Sequence, residues 1–203
     1  MIKRLAFILL MVGAVSVTYS QEFSSRVWHT GWMVTVEGDT LRGELKYDME
    51  ANSIQVMRED RIYTFSSKKI MYVEFFDSVL KNYRQFYSIP YNVSYDYRAP
   101  ILFEVLYEGP TTLLSREKIV IEMDPYSQSY YYTGPGSSRE SVSRTYYFAF
   151  KSGEIKMYTG KKGEIFTLLP EHGDALKSYI KKNRLDLNDV RDLIRVMAFY
   201  NSI

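Results

Sequence analysis

The stretch Ile101–Met123, ILFEVLYEGPTTLLSREKIVIEM, constrains the fold more than any other part of the chain. Ile101, Phe103, Val105 and Tyr107 fall on one side of a strand, and Glu104 and Glu108 on the other. Strand side chains alternate between faces, so this spacing predicts a half-buried strand whose glutamates face water. Glu108-Gly109-Pro110-Thr111 supplies the turn, because Gly accepts unusual dihedrals and Pro cannot donate a ladder hydrogen bond. Thr112–Met123 returns with β-branched weight at Ile119, Val120 and Ile121. A long hairpin is therefore expected at the centre of a sheet.

Shorter strand pairs are expected before it. Trp28–Val36 and Leu41–Tyr47 flank a Glu37-Gly38-Asp39-Thr40 turn, and Gly43 marks a bulge or a close backbone approach. Ile54–Met57 and Ile62–Phe65 flank a charged turn at Arg58–Arg61, and Ile70–Phe76 is an aromatic strand. Asn82–Ile89 is the next strand, stopped by Pro90, and Tyr91–Ala99 is a polar connection into the central hairpin. Asp124–Ser143, with Gly134-Pro135-Gly136 and many serines, is the longest expected loop. Arg144–Phe150, Ile155–Thr159 and Glu164–Leu168 read as three further strands. At Pro170 the period changes: Leu176, Tyr179 and Ile180 share one helix face, with Asn183 as the stop. Asn188 caps a second helix with an apolar stripe of Val190, Leu193, Ile194 and Met197. The expected fold is mainly β (α+β). It is a bent antiparallel sheet, barrel-like or a sandwich, with a C-terminal helical pair packed on it. The β-rich part covers 21–169, and the pair at 170–203 belongs to the same domain.

The first twenty residues read as a secretory signal: basic Lys3-Arg4, the uncharged run Leu5–Val15, then small residues before Gln21. The apolar run is shorter than the roughly 20 residues that a membrane span needs. Export to the periplasm or beyond the cell is therefore expected, with no integral membrane segment in the mature chain. The chain has no cysteine. That excludes disulfides, thiolate metal sites and a cysteine nucleophile, so the mature chain must be stabilised by its core. Lys3 and Arg4 account for the excess of positive charge; without them 24 basic residues balance 24 acidic ones. Lys68-Lys69, Lys161-Lys162 and Lys181-Lys182 are isolated doublets rather than the basic track a nucleic-acid surface uses, so no nucleic-acid partner is expected.

Catalytic patterns are absent. The two histidines, His29 and His172, stand near opposite ends of the mature chain, and no serine lies in a Gly-x-Ser-x-Gly elbow. Gly160-Lys161-Lys162-Gly163 precedes an expected strand, not the helix that would complete a phosphate cradle. Glu104 and Glu108, about 13 Å apart along a strand, are too distant for a glycosidase pair. Glu104 and Glu122 approach each other only if the hairpin register allows it. No enzyme activity, cofactor or metal is expected.

Aromatic content is the unusual feature, with 19 Tyr and 11 Phe. Tyrosine has high strand propensity, which explains much of this, but it also combines a flat apolar face with a polar tip suited to recognition. Tyr91, Tyr95 and Tyr97 form one candidate binding cluster, and Tyr126, Tyr130, Tyr131 and Tyr132 form another within the expected loop. The leading expectation is a protein-interaction or assembly module whose partner is another envelope protein. The alternative is a glycan-binding module using these tyrosines, and an envelope hydrolase stands third.

Gly31–Leu45 resembles the opening hairpin of exported, uncharacterised β-rich proteins common in Bacteroidota. Phe103–Glu117 looks like their central hairpin, Leu176–Asn201 like their helical close, and Ser20-Gln21 like their signal junction. The resemblance implies an envelope protein and carries over no catalytic or ligand-binding residue.

Overall fold

The computed structural model describes residues 22–94, 97–123, 138–161 and 163–203. Among these, ten strands form one antiparallel sheet. They are β1 (His29–Thr35), β2 (Thr40–Asp48), β3 (Ser53–Arg58), β4 (Arg61–Ser66) and β5 (Ile70–Asp77), followed by β6 (Asn82–Ser94), β7 (Tyr97–Tyr107), β8 (Thr111–Met123), β9 (Ser138–Phe150) and β10 (Ile155–Tyr158). The order across the sheet is β10-β9-β8-β7-β6-β5-β1-β2-β3-β4. The chain thus enters in the interior, builds outward to β4, then crosses to the far side of β1 and builds outward again. The central hairpin is β7–β8. The β3–β4 turn has two residues, Glu59 and Asp60, both at positive φ, the conformation that matches the twist of a tight hairpin.

The sheet is strongly bent but does not close, so it is neither a barrel nor two stacked sheets. β7 pairs with β8 only through Glu104–Tyr107, which leaves the main chain of Leu102 without a strand on that side. The β2–β3 turn folds over and fills the gap. Arg116 donates to Asn52 Oδ1 at 2.7 Å, to the Leu102 carbonyl at 2.6 Å and to the Met49 carbonyl, while the Leu102 N–H donates to Asn52. Close approach at the centre requires Gly31: a Cβ there would lie 2.3 Å from the Glu74 carbonyl oxygen.

Two apolar cores share the inner face. The first joins Met33, Leu45, Ile54, Val56, Val73, Phe75, Phe86 and Leu102, all essentially inaccessible. The second lies at the β8–β10 end under three helices, α1 (Glu164–Leu168), α2 (Gly173–Asn183) and α3 (Val190–Tyr200). There Leu113 and Phe148 meet Ile165, Leu176, Leu193 and Met197. Tyr179 and Phe199 stack at 4.0 Å to lock α2 against α3. A small outer cluster, Phe103, Leu114 and Tyr147, lies on the opposite face of the central strands.

Several local expectations are corrected. Glu164–Leu168 is a helix, making three helices rather than a pair. Its short apolar run has no distinctive period, but Ile165 and Leu169 are one helical turn apart and both buried. Glu164 also accepts from the Thr159 N–H, the Thr159 hydroxyl and the Lys161 N–H, fixing the preceding turn. Pro90 does not stop β6, and Tyr91–Ala99 is not wholly a connection: the described residues 91–94 and 97–99 belong to β6 and β7. Pro90 faces Pro100 where β5 has already ended and β8 has not yet joined, so the missing N–H groups break no ladder bond. β9 begins at Ser138, inside the expected loop. The α2 terminus is set by Arg184 in the left-handed conformation, and Asp189 rather than Asn188 caps α3, accepting from the Arg191 and Asp192 N–H groups.

Leu193 is fully buried between α3 and the sheet. Leu193→Ala is expected to lose about 2–5 kcal/mol in chemical denaturation. Wild-type stability in that variant would mean that the last helix is not docked.

Candidate functional site

The strongest concentration of reactive groups is buried between the two cores. Alternation along β5, β6 and β7 turns Asp77, Arg84 and Glu104 to the inner face beside Phe75, Phe86 and Leu102. Glu104 is buried, which overturns its expected place on a solvated face. Arg84 grips it in a fork, Nε to Oε1 and Nη2 to Oε2, both at 2.7 Å. Arg84 Nη1 also donates to the Tyr47 hydroxyl at 2.6 Å and to Asp77 at 3.3 Å, and Nη2 lies 3.2 Å from Glu117. Tyr47 donates to Glu117, Ser115 donates to Glu104 at 2.9 Å, and Arg144 reaches Glu117 at 3.1 Å.

Glu117 also forms part of the floor of an open cleft of about 650 Å³ between β2 and the β8–β9 ribbon. Ile119, Ile121 and Val142 line the ribbon side, and Lys46, Asp48 and Glu50 line the other. A buried carboxylate pair beside a cleft is the arrangement a hydrolase would use. The chemistry of this pair is different. Burial alone would push the Glu117 carboxyl up, but the Arg84 guanidinium and the Tyr47 hydroxyl overrule it and hold it low. Burial likewise raises Asp77, and the Leu80 N–H and Arg84 more than compensate. Both Glu117 oxygens and both Glu104 oxygens already accept from protein donors. Glu117, the network carboxylate that lines the cleft, is thus already engaged by Tyr47, Arg84 and Arg144.

The histidines lie in separate places. His29 is buried against Phe75 with Nε2 2.7 Å from the Ser24 carbonyl oxygen, and His172 opens α2 beside Tyr200. Among the described residues no group of three or more His, Asp or Glu is arranged to hold a metal ion.

The predicted tyrosines separate. Tyr91 is half-buried, with its ring edge-on to Phe103 and Tyr147 at 5.6 and 5.7 Å, and belongs to the outer cluster. Tyr97 is exposed at the start of β7. Tyr95, Tyr126, Tyr130, Tyr131 and Tyr132 lie outside the described residues. The network of Tyr47, Asp77, Arg84, Glu104 and Glu117 was missed by sequence reasoning. Asp77, Arg84 and Glu104 each sit two residues from an apolar core residue, but apolar side chains occupy both faces of β7, so alternation alone does not show which face is inward.

The β4 strand forms one edge of the sheet. β10, the other terminal strand, is only four residues long and lies against α1. β4 is exposed on both faces over Arg61–Thr64, and no strand pairs with its outer edge among the described residues. Arg58 and Arg61 close the tight turn, so by antiparallel alternation Ile62, Thr64 and Ser66 direct main-chain groups outward. Beside the edge lies a cavity of about 340 Å³ lined by Leu41, Val56, Arg58, Glu59, Tyr63 and Phe65. No helix of the described residues is long and apolar enough to cross a membrane. No family model, curated protein or solved structure matches this chain.

Removing Arg84 leaves Glu104, Asp77 and Glu117 buried without the guanidinium they share. Arg84→Met is expected to cost about 3–5 kcal/mol at neutral pH. In the wild type, Glu117 and Asp77 have folded-state pKa values below their ordinary 4.5 and 3.8. The stability they contribute is complete above those ordinary values and is lost as the pH falls through the lower folded-state values. In Arg84→Met the stranded carboxyls gain by protonation, so the stability maximum should move to lower pH. Urea denaturation from about pH 3 to 8 measures this; parallel wild-type and variant profiles would contradict the assignment.

Proposed function

We propose that this chain is a non-enzymatic interaction module of the cell envelope that takes an extended segment of another protein along β4. The observation that carries the reading is the unprotected β4 edge. Natural sheets usually blunt such an edge with Pro, an inward charge or a bulge. β4 has none of these over Ile62–Ser66, and it displays Ile62 and Tyr63 to solvent. A strand added there would satisfy the outward main-chain groups, while its alternate side chains reach the cavity beside Tyr63 and Phe65. The carboxylates, hydrogen-bonded to protein donors, support a binding role over hydrolysis. The basic, apolar and small-residue order of the first twenty residues supports export to the envelope.

Thr64→Pro removes one outward N–H without removing a β3–β4 ladder bond. With a photo-crosslinker at Ile62, the wild-type chain should capture one stoichiometric protein in native envelopes. Thr64→Pro should reduce that product at least about tenfold while the melting temperature holds. Undiminished cross-linking in a folded Thr64→Pro variant would reject strand addition at this edge.

A further inference from the structure

The outer face of β1, β5 and β6 carries a second, unrelated feature. Register places three rows across these strands. Trp32 lies opposite Glu74, and Glu74 opposite Gln85; Tyr72 lies opposite Tyr87, and Phe76 opposite Tyr83. Arg42 on β2 extends the Trp32 row. Five aromatic rings thus surround one polar row on a single sheet face. The rings touch, at 5.0 Å for Trp32–Tyr72, 4.7 Å for Tyr72–Tyr87 and 5.3 Å for Phe76–Tyr83. Tyr83 is 71% exposed, and Phe76 and Tyr87 also face solvent. The inner face beneath them is already sealed by Met33, Val73, Phe75 and Phe86, so these rings are not what completes the core.

The polar row is ordered. Glu74 accepts from the Tyr72 hydroxyl at 2.6 Å, from the Gln85 amide at 2.8 Å and from Trp32 Nε1 at 3.3 Å. Donation by Tyr72, then by Gln85, holds the Glu74 carboxyl below its ordinary value. An apolar partner covering the rings would also cover Glu74 and Arg42, at the cost of desolvating charges it cannot pair. A sugar meets both demands, because each pyranose presents an apolar C–H face and a rim of hydroxyls.

We propose that this face is a glycan-binding platform. Trp32, Tyr72, Tyr83 and Tyr87 offer ring faces to the sugars, and Arg42, Glu74 and Gln85 exchange hydrogen bonds with the hydroxyls. Two strand spacings separate β1 from β6, about 10 Å, which suits a short oligosaccharide lying across the strands. The platform is on a different part of the sheet from the β4 edge and does not depend on strand addition there.

The test is an array of soluble glucans, xylans, mannans and N-acetylglucosamine oligomers probed with the mature-length chain. Titration of any hit then follows Trp32 fluorescence in a Trp28→Phe background. The expected result is binding of at least one glycan class with a change in Trp32 emission, weakened at least tenfold by Tyr87→Ala and by Tyr83→Ala. Both substitutions alter exposed rings, so they decide the matter even if Trp32→Ala fails to fold. Thr64→Pro should leave glycan affinity unchanged. An array without a hit, a hit that survives both tyrosine substitutions, or a face that captures only protein would each overturn the proposal.

Discussion

The guanidinium of Arg84 is the group on which the rest of the structure depends. A single sheet that bends over itself without closing creates two cores with a seam between them, and the seam is where the backbone cannot supply the joining bonds. Arg84 on β6 fills it. Through direct contacts and one further step it connects Tyr47 on β2, Asp77 on β5, Glu104 on β7, Glu117 on β8 and Arg144 on β9. Desolvating so much charge is costly, and an apolar seam of equal volume would often be as stable. The network provides specificity: a one-residue slip of any of these strands would turn its charge outward and leave the others unpaired. Among the described residues no buried side-chain nitrogen or oxygen lacks a partner.

Period-two spacing made most strands legible, β7 and β8 among them, because alternation is a local property of the chain; that these two pair only through Glu104–Tyr107, so that the expected long hairpin is short, was not legible. The buried network was not legible in the same way. Hydrophobic patterning sends a charge to water by default, and only cross-strand register reveals that Glu104 faces Phe86 on one side and Ser115 on the other. Pro90 misled for a related reason: its cost depends on whether a neighbouring strand is present, which no local rule records. Glu164–Leu168 was ambiguous because five apolar-rich residues do not span enough turns to display a period. For the outer face the sequence did hold the signal. Tyr72-Glu74-Phe76 and Tyr83-Gln85-Tyr87 repeat the same aromatic–polar–aromatic alternation, but its meaning appears only when β5 and β6 bring the two repeats into register.

The sheet divides its labour by face and by edge. Its inner face is given to stability, with apolar cores at each end and ionic contacts between them. Its outer face is apolar and sealed near Tyr91, Phe103 and Tyr147, then open and aromatic across β1, β5 and β6. One edge ends against a helix and, among the described residues, the other has no strand beside it. A chain without disulfides can leave these surfaces open because the inner face holds the strands independently of them.

The interior position of β1 has a consequence for how the molecule assembles. β1 to β4 are joined by local hairpins, whereas their inner face is covered by residues of β5 to β7, which come later in the chain. The bond between Tyr47 and Glu117 spans 70 residues. Closing so long a loop costs entropy before any contact repays it. Contacts so far apart in sequence favour slow folding. Pulling β2 away from β8 would also break the Arg84 contacts that join β5, β6 and β7, so strands distant in sequence share one set of bonds.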